Sequence, residues 1–172
     1  RRVLFRSITL SSASASMALP LRESPADGVS RFVLEYWLPV AIWLIIISLF
    51  STDAFSSGES SRILLPILRF LFPSMTSSEM NSWHMVIRKA GHVTEYFVLG
   101  WLTFRVFRRA QPSVATAAAL TMTFVLAAAI SDEVHQLLTL NRTGSPVDVG
   151  YDCAGAVLAA WGLTVRAQKP AK

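Results

Sequence analysis

Lys89, His92, Glu95 and Tyr96 stand three to four residues apart within RKAGHVTEYFVLG, so on a helix Lys89, His92 and Tyr96 fall on one stripe, with Glu95 beside it. SDEVHQ adds Asp132, Glu133, His135 and Gln136, and NRTGSPVDVGYD adds Arg142, Asp148, Tyr151 and Asp152. At the same spacing Glu133 shares a stripe with Gln136, and Asp148 with Asp152 and Gly155. These residue types suit proton transfer and the holding of an anion. His92 and Glu133 are the candidate general base and acid, with Glu95 or Asp148 orienting the imidazole. Lys89 and Arg142 are placed to hold a phosphate or a developing oxyanion, with Tyr96, Gln136 and Asp152 as further binding groups.

Plainer readings stand beside these. Arg88 reads as a cation at a membrane edge, its apolar stem covered. Asp148, following TGSP, suits a helix N-cap, and His135 falls off the stripe of Glu133 and Gln136 as a surface residue. Tyr96 and Tyr151 also fit an interfacial aromatic belt. His92, Glu95, Glu133, His135, Asp148 and Asp152 supply donors for a divalent ion, but HExxH and comparable spacings are absent, so neither a metal nor another cofactor is expected. The sequence likewise lacks a P-loop, a GxGxxG stretch and a nucleophile elbow.

The elements that must position these groups are apolar. Of 172 residues 52% are hydrophobic and only 16% charged, and the mean hydropathy of +0.45 points to a bilayer rather than to water. The net charge of +5 does not form a basic stripe with interleaved aromatics, so no nucleic-acid partner is expected. The single cysteine, Cys153, excludes an intrachain disulfide.

Four stretches have about the length that crosses a hydrocarbon core: residues 32–50, 91–107, 114–130 and 149–165. In the first, Trp37 and Trp43 are interfacial anchors and Pro39 is expected only to kink the helix. The last holds Gly155, Ala159 and Gly162 at helical spacing, a face that lets a neighbour approach closely. Between the first two, SSRILLPILRFLFP repeats Ile63, Ile67 and Phe70 with Arg62 and Arg69 between; it predicts an interfacial or re-entrant helix broken by Pro66 and Pro73. The fold expected is all-α, an integral membrane bundle of four transmembrane helices with that helix between the first and second.

Cation counting orients the bundle. Arg105, Arg108 and Arg109 in one loop, and Arg166, Lys169 and Lys172 at the end, predict two cytoplasmic segments, hence both termini inside and the polar groups on the extracytoplasmic face. Three parts are expected: a disordered tail over 1–30, a transmembrane domain over 31–166 and a cytoplasmic tail over 167–172. The opening RRVLFRS (1–7) is similar to a translated sequencing adapter, which puts the expected native start at Met17.

RKAGHVTEYFVLGWL, followed by a basic turn, another span and SDEVHQLLTLNRTGSPVDVGYDCAGAVLAAW, resembles the VanZ-like membrane protein family over roughly residues 32–165. The resemblance places that family's polar positions on Lys89, His92, Glu95, Tyr96, Glu133, Gln136, Arg142, Asp148 and Gly155. Asp152 stands where many relatives have Asn, which makes the site one carboxylate richer. The resemblance implies a bacterial cell-envelope protein related to components of glycopeptide-resistance gene clusters associated with teicoplanin resistance, and it does not hand over a reaction. Two functions follow as expectations: an outward polar pocket that binds or processes an anionic cell-wall or lipid-linked precursor, or a structural or transport subunit of an envelope complex without catalysis. A transport relay should continue toward the cytoplasm, yet residues 97–104 and 114–130 hold no ionisable side chain.

Overall fold

A computed structural model describes residues 25–140, 142 and 144–167, all of the regular structure helical. Five helices follow one another. Helix α1 is continuous through three pieces: Pro25–Phe32, a π-helical turn Val33–Trp37, and Leu38–Phe50. A short 3-10 turn, Asp53–Phe55, leads to α2 (Ser57–Leu71), then α3 (Ser77–Ala110), α4 (Val114–Leu137) and α5 (Pro146–Ala167). The tail expected over 1–30 lies outside the described residues up to residue 24, as do Met17 and the 168–172 end; α1 begins at Pro25.

Local chemistry accounts for the helix boundaries. Thr76 and Glu79 form a reciprocal capping box that starts α3, and Ser56 and Ser113 accept from the backbone N–H of Glu59 and Thr116 to start α2 and α4. Pro39 stands two residues after the end of the π turn, and the wider turn makes room where its ring would press on the carbonyl of residue 35. The expected break of the intervening segment at Pro66 does not occur. Helix α2 runs through Pro66 and ends at Leu71, one turn later, just ahead of Pro73.

Helix α3 is 34 residues long and starts at Ser77, well before the apolar stretch 91–107. At 1.5 Å per residue it reaches about 51 Å, more than a hydrocarbon core requires. Among the described residues two helices are long and apolar enough to cross a membrane: α1, over Asp27–Phe50, and α4, over Val114–Leu137. In α3 and α5 the ionisable groups of the polar cluster interrupt the apolar run.

The helices alternate in direction. Lys89 pairs with Asp148 and His92 with Asp152, so α3 and α5 run parallel. Trp37 meets Phe107 edge-on at 6.1 Å, and the Trp43 indole donates to the Glu95 carbonyl at 2.8 Å, so α1 runs against α3. The ionisable groups of the polar cluster therefore gather at one end, where α1 and α4 finish and α3 and α5 begin. Arg105, stacked over Trp101 at 5.0 Å and Tyr36 at 5.7 Å, lies at the other end, near which Arg108, Arg109 and Arg166 close their helices.

Burial is inverted relative to a water-soluble fold. Asp152 is 0% exposed, whereas Ile45 is 61% and Trp161 66% exposed. Apolar side chains facing outward and polar ones inward are what a lipid solvent selects. Helices α3 and α5 share the most extensive interface, and small residues make it close. A Cβ on Gly155 would meet the backbone of Val93 and, at 2.8 Å, Phe97 N; one on Gly100 would stand 2.8 Å from Ala156 Cα. Ala159 is buried, but Gly162 has open space around it, so the expected small-residue face closes at Gly155 and Ala159 and stops before Gly162.

Helix α2 docks on the first part of α3 through His84, whose Nε2 lies 3.0 Å from Ser60 Oγ, and through Arg88, which donates to Ser60 Oγ at 3.1 Å and to the Phe55 carbonyl at 3.2 Å. Burial, then the charge of Arg88, lower the His84 pKa below its usual 6.5. Between the lowered folded value and the unfolded one the unfolded chain binds the extra proton, so stability is full above about 6.5 and falls on acidification. Protection of the α2 amides from hydrogen exchange is expected to decrease between pH 7.5 and 5.5 in the native protein and to change less in His84→Gln.

Candidate functional site

The polar end is built by four segments. Ser51 closes α1; α3 supplies Arg88, Lys89, His92, Glu95 and Tyr96; α4 supplies Asp132, Glu133 and Gln136; Arg142, Ser145, Asp148 and Asp152 come from the last loop and α5. Asp132, Glu133, Gln136, Asp148 and Asp152 are all buried.

Hydrogen bonds sort this cluster into layers. Lys89 forms an ion pair with Asp148 and stands 5.4 Å over the Tyr151 ring. His92 Nδ1 lies 3.0 Å from Asp152 Oδ1. Asp132 accepts from Ser51 Oγ and, at 2.9 Å, from Gln136 Nε2. Glu133 accepts from the backbone N–H of Ser145. Arg142 donates to the carbonyl of Phe50, which ties the last loop to the C-terminus of α1, where free carbonyls gather.

Two expectations change here. The imidazole of His92 is oriented by Asp152, not by Glu95 or Asp148. Asp148 is held by Lys89, so the lysine is already paired rather than waiting for a phosphate. Gln136 donates to Asp132, its i−4 neighbour.

A cleft of about 210 Å³ opens over this network, lined by Arg88, Arg142, His92, Glu95, Gln136, Gly91, Ser51 and Ser60, with Phe50 and Phe55 as an apolar wall. A second hollow of about 270 Å³ adjoins it, sharing Arg88, His92, Gln136 and Arg142 and adding Lys89, Ser145 and Asp148. Thus Lys89, His92, Glu95, Gln136, Arg142 and Asp148 line the depression, whereas Tyr96, Glu133 and Asp152 lie behind it. His135 is exposed. Tyr96 is fully buried and its hydroxyl has no hydrogen-bond partner.

Arg88 does more than edge the membrane. It lines the cleft together with Arg142, and among the described residues neither guanidinium forms a salt bridge. Burial, followed by the charge of Arg142, lowers the Arg88 pKa, and burial lowers that of Arg142. Both remain cations, and they share the lining of one cleft with Glu95.

Asp132, a polar group of SDEVHQ to which the sequence assigns no role, and Ser51, which it does not single out, also belong to the network. Asp132 lies four residues before Gln136, a spacing that already puts the two on one face; Ser51, from a distant span, carries no such signal. Replacing Gln136 with Leu leaves a buried Asp132 oxygen short of a donor, for which a loss of about 1–3 kcal/mol is expected, read as a lower Tm in detergent.

Inward ionic groups and outward apolar faces define a helical membrane protein. The sequence profile of the VanZ/LLP1 family matches residues 36–166, and the chain belongs to that family. Comparison with curated proteins and with solved structures gives no match.

Proposed function

We propose that this VanZ-family protein holds the anionic head of an amphiphilic cell-envelope molecule, a lipid or lipid-linked cell-wall precursor, in an outward-facing cleft. The observation that carries the reading is the pair Arg88 and Arg142: two cations that form no salt bridge among the described residues, in one cleft, beside the apolar wall of Phe50 and Phe55. An anion bonded to both guanidinium groups would leave its hydrocarbon portion to the aromatic side.

The topology that goes with this function has four spans, α1, α3, α4 and α5, both termini in the cytoplasm and α2 lying in the outer interface. In its support, the helices alternate in direction and their cationic ends coincide with the arginine-rich loop and C-terminus. Helix α2 leaves Ile63 and Phe70 exposed, 70% and 84%, on a face suited to lipid. By this reading the protein belongs to the machinery that lowers sensitivity to glycopeptides such as teicoplanin. His92, held by Asp152, and Glu133 are the groups that would move a proton if the bound molecule is processed. The competing reading, a structural or transport subunit, finds support in the Lys89–Asp148 pair, which knits two helices; the one-sided placement of ionisable groups speaks against a relay.

The test is a panel of Lys89→Ala, His92→Ala, Glu133→Gln, Arg142→Ala and Asp148→Asn, scored for membrane expression and for lipoglycopeptide sensitivity. Glu133→Gln and Arg142→Ala are expected to give normal protein with lost protection, whereas Lys89→Ala, His92→Ala and Asp148→Asn each break a pair between helices and lower the protein level as well; loss of protein across the whole panel would favour the structural role. A cysteine at position 142, in a Cys153→Ala background, is expected to react with an impermeant thiol reagent from outside, and labelling only from the cytoplasm would overturn the orientation.

A further inference from the structure

Behind the anion cleft we propose a second site, in which His92, Glu133 and Asp152 hold one divalent transition-metal cation of the zinc or manganese type. It goes beyond the anion reading and does not depend on it. Each of the three residues offers one ligand atom within 4.8 Å of the others, and all three are buried. They project from α3, α4 and α5, three helices packed directly against one another. The 3.0 Å between His92 Nδ1 and Asp152 Oδ1 is a hydrogen-bond length, and it is also near the edge of a coordination polyhedron whose ligands lie about 2.0–2.2 Å from the ion.

Unused donor capacity points to the same place. Glu133 Oε1 and Asp152 Oδ2 are buried without a hydrogen-bond partner, on side chains only 6% and 0% exposed. The other Glu133 oxygen is held by the Ser145 N–H, which fixes the carboxylate as an outer-shell contact fixes a ligand.

One imidazole nitrogen with two carboxylates suits zinc or manganese better than calcium or magnesium, which favour oxygen alone. The absence of HExxH spacing is no obstacle, because the ligands come from three helices rather than from one.

The test uses the full chain in detergent, stripped with a chelator and titrated with Mn²⁺ alone. Binding is followed by loss of the free-ion EPR signal, by the Tm and by electron spin-echo modulation from ligand nitrogen. About one equivalent is expected to bind, with a rise in Tm and coupling to one imidazole nitrogen. Glu133→Gln and Asp152→Asn are each expected to weaken binding at least about tenfold, while Glu79→Gln, remote from the site, leaves it unchanged. Binding of less than about 0.1 equivalent by the wild type, absence of nitrogen coupling, or a full equivalent retained by the Glu133→Gln/Asp152→Asn pair would overturn the proposal, the first two without recourse to a variant. Amphiphile retained by a protein that binds no Mn²⁺ would remove this site and leave the anion cleft standing.

Discussion

Gly155→Val is expected to prevent stable packing of the bundle, whereas Gly162→Val, two turns along the same helix, is expected to be nearly neutral. A side chain at 155 has no flexible neighbour to displace. Its Cβ would meet the main chain of α3 at Val93 and Phe97, so the two helices must separate along their whole contact. Overpacking of this kind costs about 1–3 kcal/mol when side chains can yield, and more when only backbone can. The separation also pulls Lys89 from Asp148 and His92 from Asp152, so the buried charges lose their partners together. Removing one partner of a buried pair costs about 3–5 kcal/mol. Gly162 has nothing within contact distance of an added Cβ, and a surface change there should stay within about 0.5 kcal/mol. Thermal unfolding in detergent and the amount of protein in the membrane read both outcomes; a Gly155→Val protein that melts with the wild type would mean that α3 and α5 do not meet as described.

The second large effect is on binding. Replacing both Arg88 and Arg142 with Ala is expected to weaken retention of a phosphate-headed amphiphile by at least about 100-fold. A hydrogen bond to a charged group contributes about 1.5–3 kcal/mol, and 1.4 kcal/mol is tenfold, so two guanidinium groups contributing additively reach that figure. The corresponding pair of Lys substitutions keeps the charge and loses the planar fork, so an intermediate affinity is expected. Arg142 also secures the end of α1 through the Phe50 carbonyl, so each variant is compared only after its Tm has been measured. An affinity unchanged in the Arg88→Ala/Arg142→Ala protein would place the anion elsewhere.

Much of this arrangement is legible in the sequence, for definable reasons. The stripe of Lys89, His92 and Tyr96 and the stripe of Asp148, Asp152 and Gly155 are local consequences of helical period. Their meeting follows once both helices enter the bundle from the same side. Pairing is less legible, because i, i+3 and i, i+4 spacing says which residues share a face and not which face meets which. For that reason the partner of His92 emerges as Asp152, and Lys89 is spoken for by Asp148. Ser51 and the carbonyls at the end of α1 leave no motif, since they act through backbone position and a small hydroxyl. Pro66 shows a different limit. A proline breaks an exposed helix most readily where neighbours offer no support, and α2 rests on α3 through Ser60, His84 and Arg88. The length of α3 was hidden for another reason: hydropathy marks where a helix is apolar, while the capping box at Thr76 and Glu79 marks where it begins.

The central claim is that Arg88 and Arg142 together hold an anionic amphiphile. Native mass spectrometry of the wild-type protein, released from membranes in mild detergent, tests it most directly. The account predicts about one phosphate-headed lipid or lipid-linked molecule per chain, retained through activation that strips zwitterionic lipid and lost from the Arg88→Ala/Arg142→Ala protein. A wild-type protein that carries only zwitterionic lipid, or a double variant that keeps the same anionic adduct, would contradict it.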